Sequence, residues 1–204
     1  MQNTLELLRP NKNTAFPFDT LMGSLGQAVV ETQLRSFGYE VYPYIYEDNR
    51  ASANSTVKKG YSDMTTTKIR SMPDLQAYDR ETEETYLLHV KTTFGTDESG
   101  YWISKNKFES YKRHWSEAFF VIYFIPTAVI RCCKIGNIKN WTSVTPRKIY
   151  ESNYHLDLTD FSDLPCCFPR IRREVFHTVS KDIRDVFKVF GYTAVTEDIR
   201  NQTM

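Results

Sequence analysis

Asp74, His89 and Lys91 are the side chains whose types and spacing best suit joint chemistry. They lie within residues 73–91, Pro-Asp-Leu-Gln-Ala-Tyr-Asp-Arg-Glu-Thr-Glu-Glu-Thr-Tyr-Leu-Leu-His-Val-Lys. Two strand-like runs, 74–78 and 86–93, flank a polar connection over 80–85, which predicts a β-hairpin. Side chains two apart on a strand share a face, so His89 and Lys91 point one way while Leu88 and Val90 point into packing. Asp74, at the start of the partner strand, is placed close to them. A carboxylate and an imidazole, with the Val90 carbonyl as a further candidate, can hold a divalent cation. Such an ion polarises a phosphodiester and lowers the pKa of a bound water. A lysine beside it orients the nucleophile or offsets charge in the transition state. Each residue also has a plainer reading: Asp74 as a turn former after proline, His89 as a satisfied core histidine. Lys91 is harder to explain that way, because lysine is rarely buried unless paired.

The elements that must position these groups follow from periodicity. Met22, Leu25, Val29, Val30, Leu34 and Phe37 recur at helical spacing and predict an amphipathic helix over Leu21 to Phe37, stopped by Gly38. Glu31 stands on that helix, with Gln27 one turn earlier on the same side. Its carboxylate is expected to accept a hydrogen bond from metal-bound water, with Gln27 as a candidate supporting contact. Residues 1–18 read as an irregular arm broken by Pro10 and Pro17, and Tyr39 to Tyr46 as a strand. Residues 47–72 form a long polar loop carrying Lys58, Lys59, Lys68 and Arg70, either solvated surface or a flap over substrate.

After the hairpin, residues 94–100 make a turn, and Ser104 is placed to cap a helix from Lys105 to Trp115. Ala118 to Ile125 and Ala128 to Ile135 predict a second hairpin joined at Pro126-Thr127. Beyond it, 138–150 is mixed, Tyr154 to Leu158 a short strand, Leu164 to Pro169 a loop, and Ser180 to Phe190 a last helix. The expected organisation is one domain over 1–204, with a core at about 20–135 and a helical C-terminal appendage at about 136–204.

The composition narrows the function classes. The chain has 204 residues with 41% hydrophobic and 25% charged, which suits one soluble globular domain. A net charge of +1 supplies no overall basic field for nucleic acid, so any such patch must be local. Arg170, Arg172, Arg173, Lys181 and Arg184 cluster near the C-terminus but are diluted by Glu174, Asp182 and Asp185, and read as a charged surface. No apolar run reaches the length of about 18 residues that suggests a membrane span. The start of the chain lacks the pattern of a signal peptide, so a cytoplasmic protein is expected. The cysteines form two adjacent pairs, Cys132-Cys133 and Cys166-Cys167, and adjacent positions on a strand face opposite ways. They are expected to be reduced thiols rather than zinc ligands. His114, His155 and His177 show no metal spacing. Gly23-Ser24-Leu25-Gly26 lacks the lysine and spacing of a phosphate loop.

The helix with Glu31, then Gly38-Tyr39-Glu40-Val41, then Pro73-Asp74, then His89-Val90-Lys91 followed by Thr92-Thr93, form an ordered set. In that order the chain resembles the PD-(D/E)XK nuclease superfamily over about residues 20–135. The resemblance implies an α/β fold, a restriction-endonuclease-like central mixed β-sheet flanked by helices. It implies hydrolysis of DNA, double-stranded or branched, and less often RNA, with Mg2+ or Mn2+ and often as a homodimer. Asp74, His89 and Glu31 would serve the metal and Lys91 the nucleophile. Lys105 and Lys107, on the helix after the hairpin, are candidate phosphate contacts.

The chain departs from the superfamily at His89, where an acid is usual. Magnesium prefers oxygen ligands, whereas imidazole suits manganese, iron and zinc, so Mn2+ is the favoured ion. Three readings follow: activity with a manganese-like metal, activity with an acid moved in from the 47–72 loop such as Asp63, or a silent fold that binds nucleic acid or a protein partner. An RNA endonuclease of the cap-snatching type ranks lower, because its histidine comes from a helix.

Overall fold

The protein's structure, a computed structural model, describes residues 12–44, 67–69, 71–144 and 152–172, with only the backbone described for 12–20 and 144. Helix α1 (Lys12–Ser36) begins earlier than its periodicity predicts. The expected irregular arm is therefore helical from residue 12, and Pro17 lies inside the helix rather than ending it. A proline there removes one intrahelical hydrogen bond, and many further turns follow it. The C-terminus forms as expected. Gly38 takes φ +87, and the amides of Gly38 and Tyr39 return to the carbonyls of Arg35 and Leu34.

Strands β1 (Glu40–Pro43), β2 (Leu75–Asp79) and β3 (Glu84–Thr93) form an antiparallel meander. The hairpin turn is tighter than predicted, so β3 starts two residues before Tyr86. Glu83, at φ 58, closes the turn. β4 (Tyr101–Ser104) leads into α2 (Lys105–His114), which Ser104 caps by accepting from the Lys107 amide. β5 (Phe119–Phe124) then pairs in parallel with β3, and β6 (Val129–Lys134) returns antiparallel, the second predicted hairpin. The main sheet has six strands in the order β1-β2-β3-β5-β6-β9, the last being the two-residue strand Ser162–Asp163.

The described part of the expected helical appendage holds three short strands, one of them at the predicted Tyr154 to Leu158 strand. β7 (Trp141–Val144) and β8 (Asn153–Leu156) join β4 in a separate three-stranded sheet. β9 (Ser162–Asp163) edges the main sheet, and a short helix α3 (Leu164–Cys167) replaces the predicted loop. Pro165 at the start of α3 is tolerated because its missing N–H would be unsatisfied there anyway. The predicted helix over 180–190 lies outside the described residues.

All six residues of β5 are buried, which a central strand covered on both faces requires. Val121 and Tyr123 join Leu88, Val90, Val30 and Leu34 under α1. Phe120, Ile122 and Phe124 join Phe108 and Tyr111 of α2 on the other face. Each large apolar side chain so buried is worth about 1.5–3 kcal/mol. A central mixed sheet with helices on both faces bears out the expected α/β fold class.

Candidate active site

The site arises where two strands part. β2 begins at Leu75 opposite Leu88, just after Pro73, which has no N–H to give a ladder. β3 runs on to Thr93 with β5 still beside it, but with nothing of β2 on its other edge. Asp74 bridges the break. Its amide donates to the Leu88 carbonyl at 2.8 Å, and its Oδ2 accepts from the Val90 amide at 2.8 Å. That amide would otherwise lack a strand partner, so the aspartate stands in for a missing strand residue.

The same Oδ2 accepts from Lys91 Nζ at 3.0 Å, and Nζ also donates to the Val90 carbonyl at 2.8 Å. The pair is 17% and 11% exposed, sheltered yet open to a ligand. Burial works against the Asp74 charge, but Lys91 and the hydrogen bonds from Lys91 and Val90 outweigh it, holding the carboxyl below its ordinary range. Burial also opposes the charge of Lys91. Asp74 outweighs it, so the ammonium holds its proton more firmly than a free lysine.

His89 shares the Lys91 face and is fully buried. Its ring stacks on Tyr111 with centroids 4.0 Å apart, and neither ring nitrogen has a hydrogen-bond partner. Burial, reinforced by the Lys91 charge, pushes its pKa down to about 3, so the imidazole is neutral at physiological pH. Leaving a buried polar atom unpaired costs about 1–3 kcal/mol.

The other expected site residues are placed differently from one another. Glu31 is held by Arg35 Nε at 2.8 Å, and Arg35 also donates to the Val41 carbonyl. α1 covers the Leu88–Val90 face, opposite to His89 and Lys91. Among the described residues no group of three His, Cys, Asp or Glu is placed to hold a metal ion, so Glu31 is not gathered with Asp74 and His89. Gln27 follows Gly26, where α1 comes so close to β3 that a Cβ would collide with Thr92 Oγ1. The helix thus reaches the end of β3 at Gly26-Gln27, one turn before Glu31. Lys107 is close enough to contribute to the low pKa of His89. Lys105 lies 5.9 Å from the Tyr154 ring, toward the smaller sheet. Lys68 sits over the Trp115 ring at 5.6 Å, and Arg170 is taken up by Asp79 and Glu81. Asp63, Lys58, Lys59, Arg70, Arg173, Lys181 and Arg184 lie outside the described residues.

Tyr111 and Tyr101 are the site residues that the sequence pattern hid. Tyr111 falls three residues after Phe108 on the buried stripe of α2, where an aromatic reads as core. Tyr101 opens a strand too short to stand out. Both hydroxyls are held protonated, chiefly by burial, Tyr111 up to about 12.

The residues that could hold a divalent ion of the kind the resemblance implies are the Asp74 carboxylate and the neutral His89 ring, whose nitrogens have no hydrogen-bond partner. An oxygen and an imidazole nitrogen together suit manganese better than magnesium.

No protein-family model matches the chain, and no curated protein matches it in sequence. Solved structures with a similar fold include a Holliday junction resolvase from the archaeal hyperthermophile Archaeoglobus fulgidus, at 11% identity and a TM-score of 0.44, covering 74% of this chain and 98% of that one. A nuclease from a fusellovirus is similar at 16% identity and a TM-score of 0.39, covering 89% of this chain and 97% of that one.

Proposed function

We propose that the chain is a metal-dependent nuclease that hydrolyses phosphodiester bonds in DNA at the bay where β2 stops and β3 continues. The observation that carries this reading is the buried Asp74–Lys91 pair, anchored at both ends by the Val90 peptide. A buried ion pair is a poor device for stability, since apolar residues of similar volume often serve the fold as well or better. Perturbed titratable groups at a break in a sheet are what chemistry needs.

The roles follow from the charge states. Asp74 is anionic at neutral pH and offers its carboxylate as the charged ligand. Lys91 keeps its proton, so it is not the general base. It acts as fixed positive charge toward a scissile phosphate, exchanging part of its contact with Asp74 for the phosphoryl oxygens. His89 cannot act as an acid at neutral pH and serves as a neutral donor atom, its ring held by Tyr111. When bound, the ion supplies polarisation of the phosphoryl group and an acidified water. A homodimer, one site for each strand, belongs to the same reading, and sedimentation of the full chain tests it.

A second reading, a silent nucleic-acid-binding module, is favoured by the engagement of Glu31 with Arg35 and the lack of a third metal-ligating acid among the described residues. Cleavage of plasmid, four-way-junction DNA and RNA, with Mn2+ and Mg2+ in turn, separates the two. Cleavage of DNA that is stronger in Mn2+ than in Mg2+ supports the nuclease. Retention of DNA on a binding gel with no cut product in any metal supports the module. Cleavage confined to RNA would shift the substrate class.

A further inference from the structure

The cysteine pairs are divided by the sheet. Cys132 lies in the core under α1, and Cys133, its neighbour on β6, lies in the core on the other face. α3 then brings one cysteine of the second pair over Cys132. The Cys167 thiol donates to the Cys132 carbonyl at 3.4 Å, and the two thiols are in side-chain contact. The register of β9 on β6, Cys132 opposite Ser162, fixes the start of α3 and so this approach. Cys166, the other half of the pair, is exposed. Cys132 is 1% exposed while Cys167 is partly accessible, so one thiol can meet a small oxidant and the other waits behind it.

We propose that Cys132 and Cys167 form a reversible dithiol–disulfide pair that reacts with peroxides and fastens α3 to β6. The Cys167 thiolate attacks one peroxide oxygen and breaks the O–O bond, giving a sulfenic acid and a first water once the leaving hydroxide is protonated. The Cys132 sulfur then attacks the sulfenic sulfur, its proton leaving with the displaced hydroxyl as a second water. Two thiols and one peroxide thus become one disulfide and two waters. A dithiol reductant reverses the change by exchange. Contact with Cys132 lowers the pKa of the Cys167 thiol, while burial raises that of Cys132, which suits an attacking and a resolving sulfur. The bond would also secure the chain just after α3, where Phe168 enters the core and Arg170 reaches Asp79 of β2.

The test treats the full chain with a slight excess of hydrogen peroxide, then denatures it and alkylates the remaining thiols with N-ethylmaleimide. The expected mass shows two alkyl groups fewer than the reduced protein, in a monomer on non-reducing gels, with a Tm several degrees higher that dithiothreitol returns to its starting value. Adjacent cysteines share tryptic peptides, so variants assign the bond. Cys133→Ala with Cys166→Ala must keep the disulfide, and Cys167→Ala must lose it. If the double variant does not fold, Cys166→Ala alone gives the same comparison, because that residue is exposed. Full alkylation after peroxide, or a disulfide that persists in Cys167→Ala, overturns the proposal.

Discussion

At the scale of single residues, Asp74 and His89 differ in what they do to stability and to chemistry. Asp74→Asn keeps the shape but removes the charge that Lys91 faces, and Lys91→Ala removes the cation. Each is expected to reduce DNA cleavage at least a hundredfold, the order found when one electrostatic group at a transition state is lost. Gel kinetics under single-turnover conditions read the loss, and circular dichroism confirms that each variant is folded. His89 carries a separate prediction about acid. Its folded pKa is about 3, against about 6.5 in an unfolded chain. Between those values the unfolded chain binds a proton that the folded chain refuses, so stability falls as pH drops below 6.5. At one unit of pH the effect is about 1.4 kcal/mol, so close to 2 kcal/mol is lost between pH 7 and pH 5. His89→Phe keeps a ring against Tyr111 without the proton and should flatten that slope in urea unfolding without metal. Equal slopes in the two proteins would refute the assignment. Asp74 acts in a lower window. Its folded pKa is depressed, so its contribution is present above about pH 4 and disappears as the pH falls through the folded value.

At the scale of elements, the site depends on how α1 and the strand ends are held. Gly26 lets α1 lie against Thr92, whose Oγ1 is buried without a hydrogen-bond partner. Alanine in a helix interior is favoured over glycine by about 1 kcal/mol. Here the new methyl meets Thr92, and overpacking of this kind costs about 1–3 kcal/mol. Gly26→Ala should therefore lower Tm despite the better propensity, and adding Thr92→Ala should restore it. A thermal double-mutant cycle reads the coupling, and additive effects would mean that the two residues do not meet. A second fastening joins the far end of the hairpin. Arg170 Nη1 donates to the buried Asp79 carboxylate at 2.9 Å, while the Glu81 amide donates to the same oxygen. Arg170→Ala leaves that carboxylate short of a cation and should lower Tm more at pH 7 than at pH 3, where protonation relieves it.

At the scale of the whole molecule, the readable parts were those with local causes. The helix ending at Gly38, the hairpin bearing Asp74 and Lys91, the Ser104 cap and the β5–β6 hairpin all follow from periodicity and turn chemistry. What escaped was assembled over distance. β8 was readable as a short strand near Tyr154, but β4 and β7, each of four residues, gain meaning only by pairing with it, β4 from some fifty residues away. Within the site, the contact of Asp74 with Lys91 was legible because a hairpin brings its ends together. The stacking of Tyr111 on His89 was not, because it joins a helix to a strand. Glu31 shows what a helix prediction leaves out: the helix forms, but the pairing of the carboxylate with an arginine one turn later and the face of the sheet that α1 covers come only from the packed structure. The central claim is that Asp74, Lys91 and a neutral His89 form a metal-assisted phosphodiesterase site. Its most direct test is single-turnover cleavage of plasmid and four-way-junction DNA by the full chain in Mn2+, beside Asp74→Asn. The account predicts cut DNA from the parent chain, weaker cutting in Mg2+, and none above background from the variant. Equal cutting by parent and variant, or no cutting by either in any divalent metal, would contradict it.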